Sequence, residues 1–314
     1  MGGRALLAVA VALVAVAVAL TRVLDNQYYY FAAYVILQYI VLATAWNILG
    51  GYTGYVNFGS AAFFAMGAYT SAVLIKAFGA PLPVLVVAGG LVSGLLGLGI
   101  GYLTLRLRGV FFAIATLALA VVLQTLIMNW RYVGGSRGIY TIRPAQVPFF
   151  ANYVELLFVV MLLLALGALA TAWWIEHSWV GRGLMAIRDN EEAAECMGVP
   201  TLKLKLLATT VSGALMGIAG TPFPYYLTYM EPTSAFNLDY AVNSLAMPMI
   251  GGTTTWVGPL VGAVLLGTVQ QVATVTISSA LNLLIVGVVV VAFVILAPEG
   301  IVGLFRRKVG KARA

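Results

Sequence analysis

The chain alternates between long apolar runs and short polar stretches. Apolar runs occupy residues 5–20, 30–49, 59–78, 83–105, 109–129, 154–175, 206–225, 240–252, 259–277 and 281–297. A helix needs about 20 mostly apolar residues to cross a bilayer core of about 30 Å, and most of these runs approach or exceed that length. The pattern therefore predicts an all-α, polytopic transmembrane bundle of about 8–10 spans, forming a single domain over residues 1–314.

The first apolar run has two interpretations. Residues 5–20 follow Arg4, and the small residues Ala17 and Ala19 lie near a plausible cleavage point of a signal peptide. The alternative, which we favour, is a retained first helix. Counting that helix gives ten segments with both termini on the cytoplasmic side.

The distribution of basic residues sets the expected orientation. The loop 176–205 carries Arg182, Arg188, Lys203 and Lys205, and the tail 304–314 is a dense basic cluster. Arginine at a helix centre costs about 2.5–3.5 kcal/mol on insertion scales, so the turn containing Arg106 and Arg108 must mark a membrane boundary. The positive-inside rule then places this turn, the loop and the tail in the cytoplasm. The loop 130–151, with three arginines, would lie outside and slightly weakens this assignment.

Composition agrees with a membrane protein. The chain is 62% hydrophobic and 9% charged, with a mean hydropathy of +1.01, which excludes an ordinary soluble domain. The net charge of +7 comes from scattered loop residues and from the tail, which an anionic inner leaflet explains without nucleic acid. The sequence contains one cysteine, Cys196, which excludes an internal disulfide and a cysteine-based metal site. It also contains one histidine, His177.

Two glycine-rich stretches interrupt the apolar pattern, one in each half of the chain. They are GGYTGYVNFG at 50–59, the first break, and GGTTTWVGP at 251–259, the second break. Paired breaks of this kind can mark a translocation site, because unwound backbone at membrane depth survives only where it is buried or lines a cavity. They can equally be turns at the membrane surface. The candidate path residues are Tyr52, Thr53, Asn57, Ser60, Gln124, Asn243, Thr253 and Thr254, with Gln270 a further polar position inside a span.

The stretch RDNEEAAECMGVP, residues 188–200, concentrates charge in a chain that otherwise avoids it. Asp189 is expected to cap a helix, with Glu192 in the capping-box position. Gly198 and Pro200 are expected to end that helix. The sequence thus predicts a short helix over about 190–197. A helix of about two turns is marginal alone in water and needs a surface to dock against.

The expected faces of this helix leave two alternatives. At helical spacing, Ala193, Ala194 and Met197 form a small apolar patch beside Glu191, Glu192 and Glu195. Such a patch, flanked by charge, suits insertion into a groove on another protein. The alternative is a helix resting on its own membrane segments, with the basic residues of the loop as neutralising partners.

The same residues resemble a known signature. EAAECMG has the form E-A-A-x-x-x-G, similar to the cytoplasmic loop motif of ABC importer permeases, and the match covers Glu192, Ala193, Ala194 and Gly198. The wider loop GRGLMAIRDNEEAAECMGVPTLKLKLLATTVSGALMGIAG resembles permeases of branched-chain amino-acid ABC importers, of the LivM type with LivH as its sister. WNILGGYTGYVNFGSAAFFAMGAYT, LRLRGVFFAIATLALA, GGTTTWVGPLVGA and LAPEGIVGLF follow in family order. Two departures are Thr254 and Thr255 in place of a Gly-Ser pair, and the missing Ile-x-Leu-Pro ending of the loop motif.

The resemblance implies a permease subunit rather than an enzyme. It implies two ABC ATP-binding subunits, a second permease of the LivH type or a homodimer mate, an external or periplasmic substrate-binding protein, and leucine, isoleucine or valine as cargo. The chain would bind no cofactor itself, and ATP-Mg would lie on the partner subunits; this sequence contains no GxxxxGK[ST] phosphate loop. Contact with an ATP-binding subunit is expected at Arg188, Glu192, Ala193, Ala194, Glu195, Met197 and Gly198.

Other functions remain as alternatives at this stage. Related permeases carry urea, short amides or aromatic amino acids, and the sequence does not separate these cargoes. An ion-coupled secondary transporter usually places ionisable residues within its spans, whereas Glu155, Asp239 and Glu299 lie at span edges. A membrane-embedded enzyme would need a catalytic constellation that one histidine and edge carboxylates do not supply.

Overall fold

The computed structural model describes residues 26–107, 109–143, 152–276 and 300–303, with isolated positions at 12, 14, 284, 287, 288, 291 and 292. The predicted runs 5–20 and 281–297 and the basic tail 304–314 therefore lie outside the described residues or are described only at single positions. Arg108 and Glu299 also lie outside them.

The described chain is almost entirely helical. In chain order the elements are α1 (Gln27–Trp46), which continues as a π-helical turn (Asn47–Gly51), α2 (Ser60–Phe78), α3 (Leu82–Thr104), α4 (Val110–Asn129), β1 (Ile139–Tyr140), α5 (Tyr153–His177), α6 (Trp179–Asp189), α7 (Glu191–Cys196), α8 (Thr201–Gly220), α9 (Phe223–Leu227), β2 (Tyr229–Met230), α10 (Pro232–Ala235), α11 (Leu238–Gly251) and α12 (Val257–Thr276). Two 3-10 turns, Arg131–Val133 and Gly135–Arg137, precede β1.

Seven helical segments in the described residues are long and apolar enough to cross a membrane. They are Gln27–Gly51, Ser60–Phe78, Leu82–Thr104, Val110–Asn129, Tyr153–His177, Thr201–Leu227 and Val257–Thr274. The remaining predicted run of the described region, 240–252, forms α11, which has 14 residues and is shorter than these. The expected polytopic helical bundle is thus confirmed.

One predicted boundary is wrong by several residues. The apolar run 206–225 suggests a helix that begins after the charged loop, but α8 begins at Thr201 and includes Lys203 and Lys205. Lys205 is only 3% exposed. A buried lysine is tolerated there because a carboxylate of another helix pairs with it, which the hydrophobic pattern alone does not show.

The helices α2, α3 and α8 pack closely against one another. A Cβ on Gly67 of α2 would collide with the backbone of Gly217 in α8, and a Cβ on Gly217 would collide with the Ser93 side chain of α3. The hydroxyl of Ser93 donates to the carbonyl of Phe63 at 3.0 Å. Glycine at these two positions therefore lets the three helices approach to backbone contact.

The turns divide between two ends of the bundle. At one end, which we call the loop end, lie residues 47–59, 104–107, 177–201 and 251–257. Contacts join these segments directly: Arg188 donates to the carbonyl of Gly51, and Asn47 donates to the carbonyl of Thr255. The opposite end carries the β1–β2 pair, in which Ile139 faces Met230.

A separate apolar cluster lies at the loop end. Its buried members are Ile48, Leu49, Tyr52, Tyr55, Leu105, Phe112, Ala172, Ile175, Val180, Leu184, Ile187, Ala194, Leu204 and Ala208. These residues come from α4, α5, α6, α7 and α8, from the π-helical turn after α1, from the position after α3 and from the first break. The cluster therefore seats the loop 176–205 firmly on the ends of the membrane helices.

Candidate functional site

The short helix α7 has a different start from the one expected. Asn190, in extended conformation with φ −161° and ψ 109°, is the N-cap, and its side-chain oxygen accepts from the backbone N–H of Ala193 at 3.0 Å. Asp189 is instead the last residue of α6. The predicted N-cap was wrong by one residue, so Glu192 occupies the second helical position and Ala193 the capping-box position. The sequence did not reveal that α6 runs on through Asp189.

The end of α7 follows the prediction. Gly198 has a left-handed φ of +82°, its N–H donates to the carbonyl of Glu195, and the N–H of Val199 donates to the carbonyl of Ala194. This pair of bonds is a Schellman motif, which satisfies the last carbonyls of a helix and favours glycine at this position.

The predicted three-residue patch on α7 is divided between two faces. Ala194 is only 5% exposed and packs into the loop-end cluster, whereas Met197 is 84% exposed and Ala193 is also exposed. The expectation that all three form one surface was wrong, because consecutive positions 193 and 194 differ by about 100° around a helix. The helix thus rests on its own protein by one face and presents the other face outward.

A buried ion pair anchors α7 to α8. The Lys205 ammonium lies 2.6 Å from Oε1 of Glu191, and the Tyr55 hydroxyl donates to Oε2 of the same carboxylate at 2.6 Å. The ammonium also lies 3.2 Å from the Tyr55 hydroxyl and 3.5 Å from the carbonyl of Leu105. A buried pair is stable only when further hydrogen bonds satisfy both ions, and these contacts provide them. The network joins α7 and α8 to the first break and to the end of α3.

Arg188 connects the same loop to the end of α1. Its guanidinium donates to the carbonyl of Gly51 at 2.8 Å, within the first break. Glu195 of α7 accepts from the hydroxyl of Thr201 at 2.5 Å, at the start of α8. Arg188 and Glu195, which were expected to support a partner contact, therefore also fix the loop to its own membrane helices.

The two glycine-rich breaks lie together at the loop end. The Asn47 amide donates to the carbonyl of Thr255 at 3.4 Å, and a Cβ on Gly51 would lie 2.8 Å from the carbonyl oxygen of Thr253. The indole of Trp46, at the end of α1, donates to the carbonyl of Asn57 in the first break at 2.8 Å. The breaks are thus adjacent although about 200 residues separate them in sequence.

The structure separates the candidate path residues into three groups. Tyr52, Thr53, Asn57 and Ser60 are buried at the first break, while Thr253 is half-buried and Thr254 exposed at the second. Asn243 lies between α1, α11 and α12, where it accepts from the buried Gln270 amide at 2.8 Å and donates to the Tyr39 hydroxyl at 3.4 Å. Gln124 lies apart, half-exposed on α4. Whether cargo passes these residues stays a prediction.

Two features of this site were not predicted from the sequence: the helix α6 and the contact of Tyr55 with α7. Val180, Leu184 and Ile187 are all buried, and their spacing of four and three residues is the signal of an amphipathic helix that would have revealed α6. Lys205 was among the basic residues of the loop expected to neutralise the helix if it rested on its own protein, whereas Tyr55 carried no comparable local signal. Their role depends on contacts between segments that are distant in sequence.

A cavity of about 360 Å³ opens beside α7. It is lined by Trp179, Arg182, Gly183, Ala186, Met197, Gly198, Val199, Pro200 and Leu204. Trp179 is 64% exposed, so this region combines an apolar recess with an exposed aromatic ring and a cation. Exposed apolar groups next to a concave surface are typical of a protein contact site.

Comparison with known proteins assigns the chain to a family. The family model described as "Branched-chain amino acid transport system / permease component" matches residues 28–294. The chain belongs to this family. It is 28% identical over 299 residues to the high-affinity branched-chain amino acid transport system permease protein LivM of Salmonella typhimurium, and 27% identical to LivM of Escherichia coli, in each case covering 87% of this chain and 70% of the relative.

A more distant relative supports the same assignment. This permease is 26% identical over 277 residues to a probable branched-chain amino acid transport permease protein LivH of Methanocaldococcus jannaschii, covering 82% of this chain and 85% of the relative. No solved structure matches the chain. With its apolar helices and its permease relatives, the protein is a multi-pass membrane protein and a transport subunit.

Proposed function

We propose that this permease forms the membrane channel of an ATP-driven importer for leucine, isoleucine and valine, and that α7 is its contact with an ATP-binding subunit. The observation that carries the proposal is the division of α7 into an anchored face and an exposed face. Ala194 and Glu191 hold the helix to the permease, and Ala193 and Met197 face outward.

The anchoring explains how so short a helix could transmit force. A six-residue helix is unstable alone, but here the Asn190 cap, the Schellman turn at Gly198 and the Glu191–Lys205 pair hold it in place. A partner that pressed on the exposed face would therefore displace the membrane helices rather than unfold α7. The recess beside Met197 enlarges the surface available to such a partner.

Energy would come from outside this chain. The sequence contains no GxxxxGK[ST] phosphate loop, which supports ATP hydrolysis by two partner subunits that hold ATP-Mg while this chain binds no cofactor. A second permease of the LivH type, or a second copy of this chain, would complete the channel, and an external binding protein would deliver the cargo. The names of the relatives support branched-chain amino acids over urea, amides or aromatic amino acids.

The basic residues of the loop end support a cytoplasmic position for α7. Arg106, Arg182 and Lys203 are exposed at this end, in line with the positive-inside rule. The chain would then lie in the bacterial inner membrane with α7 facing the ATP-binding subunits. Both termini are proposed to be cytoplasmic.

Reconstitution tests this function directly. The permease, its partner permease, two ATP-binding subunits and the binding protein are assembled in liposomes, and uptake of labelled leucine is measured. We expect uptake that requires ATP and survives an ionophore. If an ionophore abolished uptake and ATP depletion did not change it, the protein would be an ion-coupled carrier instead.

A further inference from the structure

The carboxylate of Glu176 joins the two glycine-rich breaks. Glu176 is the penultimate residue of α5, and one of its oxygens, Oε2, accepts two hydrogen bonds. The donors are the hydroxyl of Tyr52, at 3.2 Å, and the backbone N–H of Trp256, at 2.6 Å. Tyr52 belongs to the first break and Trp256 to the second, so a single atom links the two halves of the chain.

Both donors suit a charged acceptor. The N–H of Trp256 immediately precedes α12, where helical N–H groups lack intrahelical partners and the helix dipole favours a negative charge. At the same helix start, the hydroxyl of Thr255 accepts a hydrogen bond from the backbone N–H of Gly258 at 3.3 Å. Burial, and then the nearby Glu176 charge, raise the pKa of the Tyr52 hydroxyl, which therefore keeps its proton and remains a donor.

The junction is continuous with the loop that carries α7. Glu176 is followed by His177, the last residue of α5, and by Ser178, after which α6 begins at Trp179. The opposite end of α6 carries Arg188, which donates to Gly51 in the first break. The first break is therefore held by Glu176 at the end of α5 and by Arg188 at the end of α6, and the second break is held through Glu176.

We propose that Glu176 is a positioning residue that keeps the two breaks in one fixed arrangement, so that a displacement of the loop 176–205 moves both halves of the permease together. The inference rests on the proposed function and assigns Glu176 no contact with cargo. Loss of the carboxylate would release the Trp256 N–H and the Tyr52 hydroxyl, and would leave the start of α12 held less firmly, beside the longer 3.4 Å hydrogen bond from Asn47 to Thr255. ATP hydrolysis would then continue while transport failed to follow it.

The test compares ATP consumed with leucine transported in the full reconstituted complex. Glu176→Ala should lower uptake at least tenfold while ATP hydrolysis stays within about twofold of the native rate, and Tyr52→Phe, which keeps the Trp256 bond, should have a smaller effect of the same kind. Glu155→Gln, a carboxylate at the other end of the same helix, is the matched control and should keep the native ratio. Native ratios in both Glu176→Ala and Tyr52→Phe would overturn the proposal.

A distance measurement covers the case in which Glu176→Ala does not assemble. Spin labels are placed in a Cys196→Ser chain at Val56 in the first break and at the exposed Thr254 in the second. In this complex we expect the distance between the two labels to have a single value, both with and without ATP. When Tyr52→Phe is added to the labelled chain, we expect the distribution of that distance to broaden or split. An unchanged distribution in that variant would contradict the inference. Because the native complex must already transport leucine, this failure is distinguishable from failure of the proposed function.

Discussion

The ammonium of Lys205 lies 2.6 Å from the carboxylate of Glu191, fourteen residues earlier on a different helix. The side chain of Lys205 is 4% exposed and that of Glu191 is 14% exposed, so water screens this pair poorly. The Tyr55 hydroxyl contacts both ions. The pair therefore determines where α7 sits on the membrane helices.

Removing one member of this pair should destabilise the permease. We expect Lys205→Met to lower the free energy of unfolding by about 3–5 kcal/mol, because it leaves the largely buried Glu191 carboxylate with the Tyr55 hydroxyl but without its cation. The double variant Lys205→Met with Glu191→Gln should recover most of that loss. Thermal unfolding in detergent measures both, with Lys203→Met, on the exposed face of α8, as the control. Equal melting temperatures for Lys205→Met and Lys203→Met would show that the pair contributes nothing.

Adjacent alanines of α7 should respond differently to the same substitution. Ala193→Arg adds a cation to the exposed face, and we expect normal folding with loss of ATP-binding subunit binding. Ala194→Arg forces a charge into the loop-end cluster, so the permease itself should be destabilised. Copurification and thermal unfolding distinguish the two. If Ala193→Arg bound its partner normally and supported full transport, the exposed face would not be the contact surface.

Gly198 should be required for its backbone conformation alone. A Cβ at this position meets nothing within 4 Å, but φ is +82°, so we expect Gly198→Ala to cost about 1–2 kcal/mol of local stability and to reduce transport several-fold. Gly167→Ala in α5 is the matched control, because its Cβ also meets nothing within 4 Å and its φ is ordinary. Hydrogen exchange of residues 191–200 measures the effect. Equal protection in the two variants would contradict the prediction.

Asn57 permits a test of the predicted path. Its Oδ1 accepts from the N–H of Gly59 at 2.7 Å, whereas its buried Nδ2 has no hydrogen-bond partner among the described residues. Asn57→Asp keeps the acceptor near the start of α2, replaces the Nδ2 donor with an oxygen and adds a negative charge, which a helix N-terminus favours. We expect uptake to fall while assembly persists, as also predicted for Asn57→Leu and Thr253→Leu. Normal uptake by Asn57→Asp would leave Asn57 a purely structural cap.

Local patterns in the sequence predicted the helices well and their contacts poorly. The span 109–129 is recovered as Val110–Asn129 because its apolar run and its flanking glycine are local features. The end of α7 at Gly198 is local for the same reason. The start of α8 at Thr201 was missed because Lys205 is stabilised by Glu191, and no periodicity encodes that pairing.

The candidate site shows the same division. The E-A-A-x-x-x-G motif located α7, but it did not show that Ala194 faces inward and Ala193 outward. Glu176 was not singled out, because its partners Tyr52 and Trp256 lie 124 and 80 residues away in sequence. Contacts of this range follow from the packing of the whole bundle rather than from any one segment.

The most direct test of the contact proposed for α7 uses the native Cys196, the single cysteine of the chain, which is exposed on that helix. A thiol-directed photocrosslinker is attached to Cys196 in the assembled transporter, and the crosslinked peptides are identified by mass spectrometry. A chain carrying Cys196→Ser and Tyr132→Cys, which moves the probe to the opposite end of the bundle, is the control. We predict crosslinks from Cys196 to an ATP-binding subunit and none from position 132. Crosslinks from Cys196 confined to the permease's own helices would contradict the account.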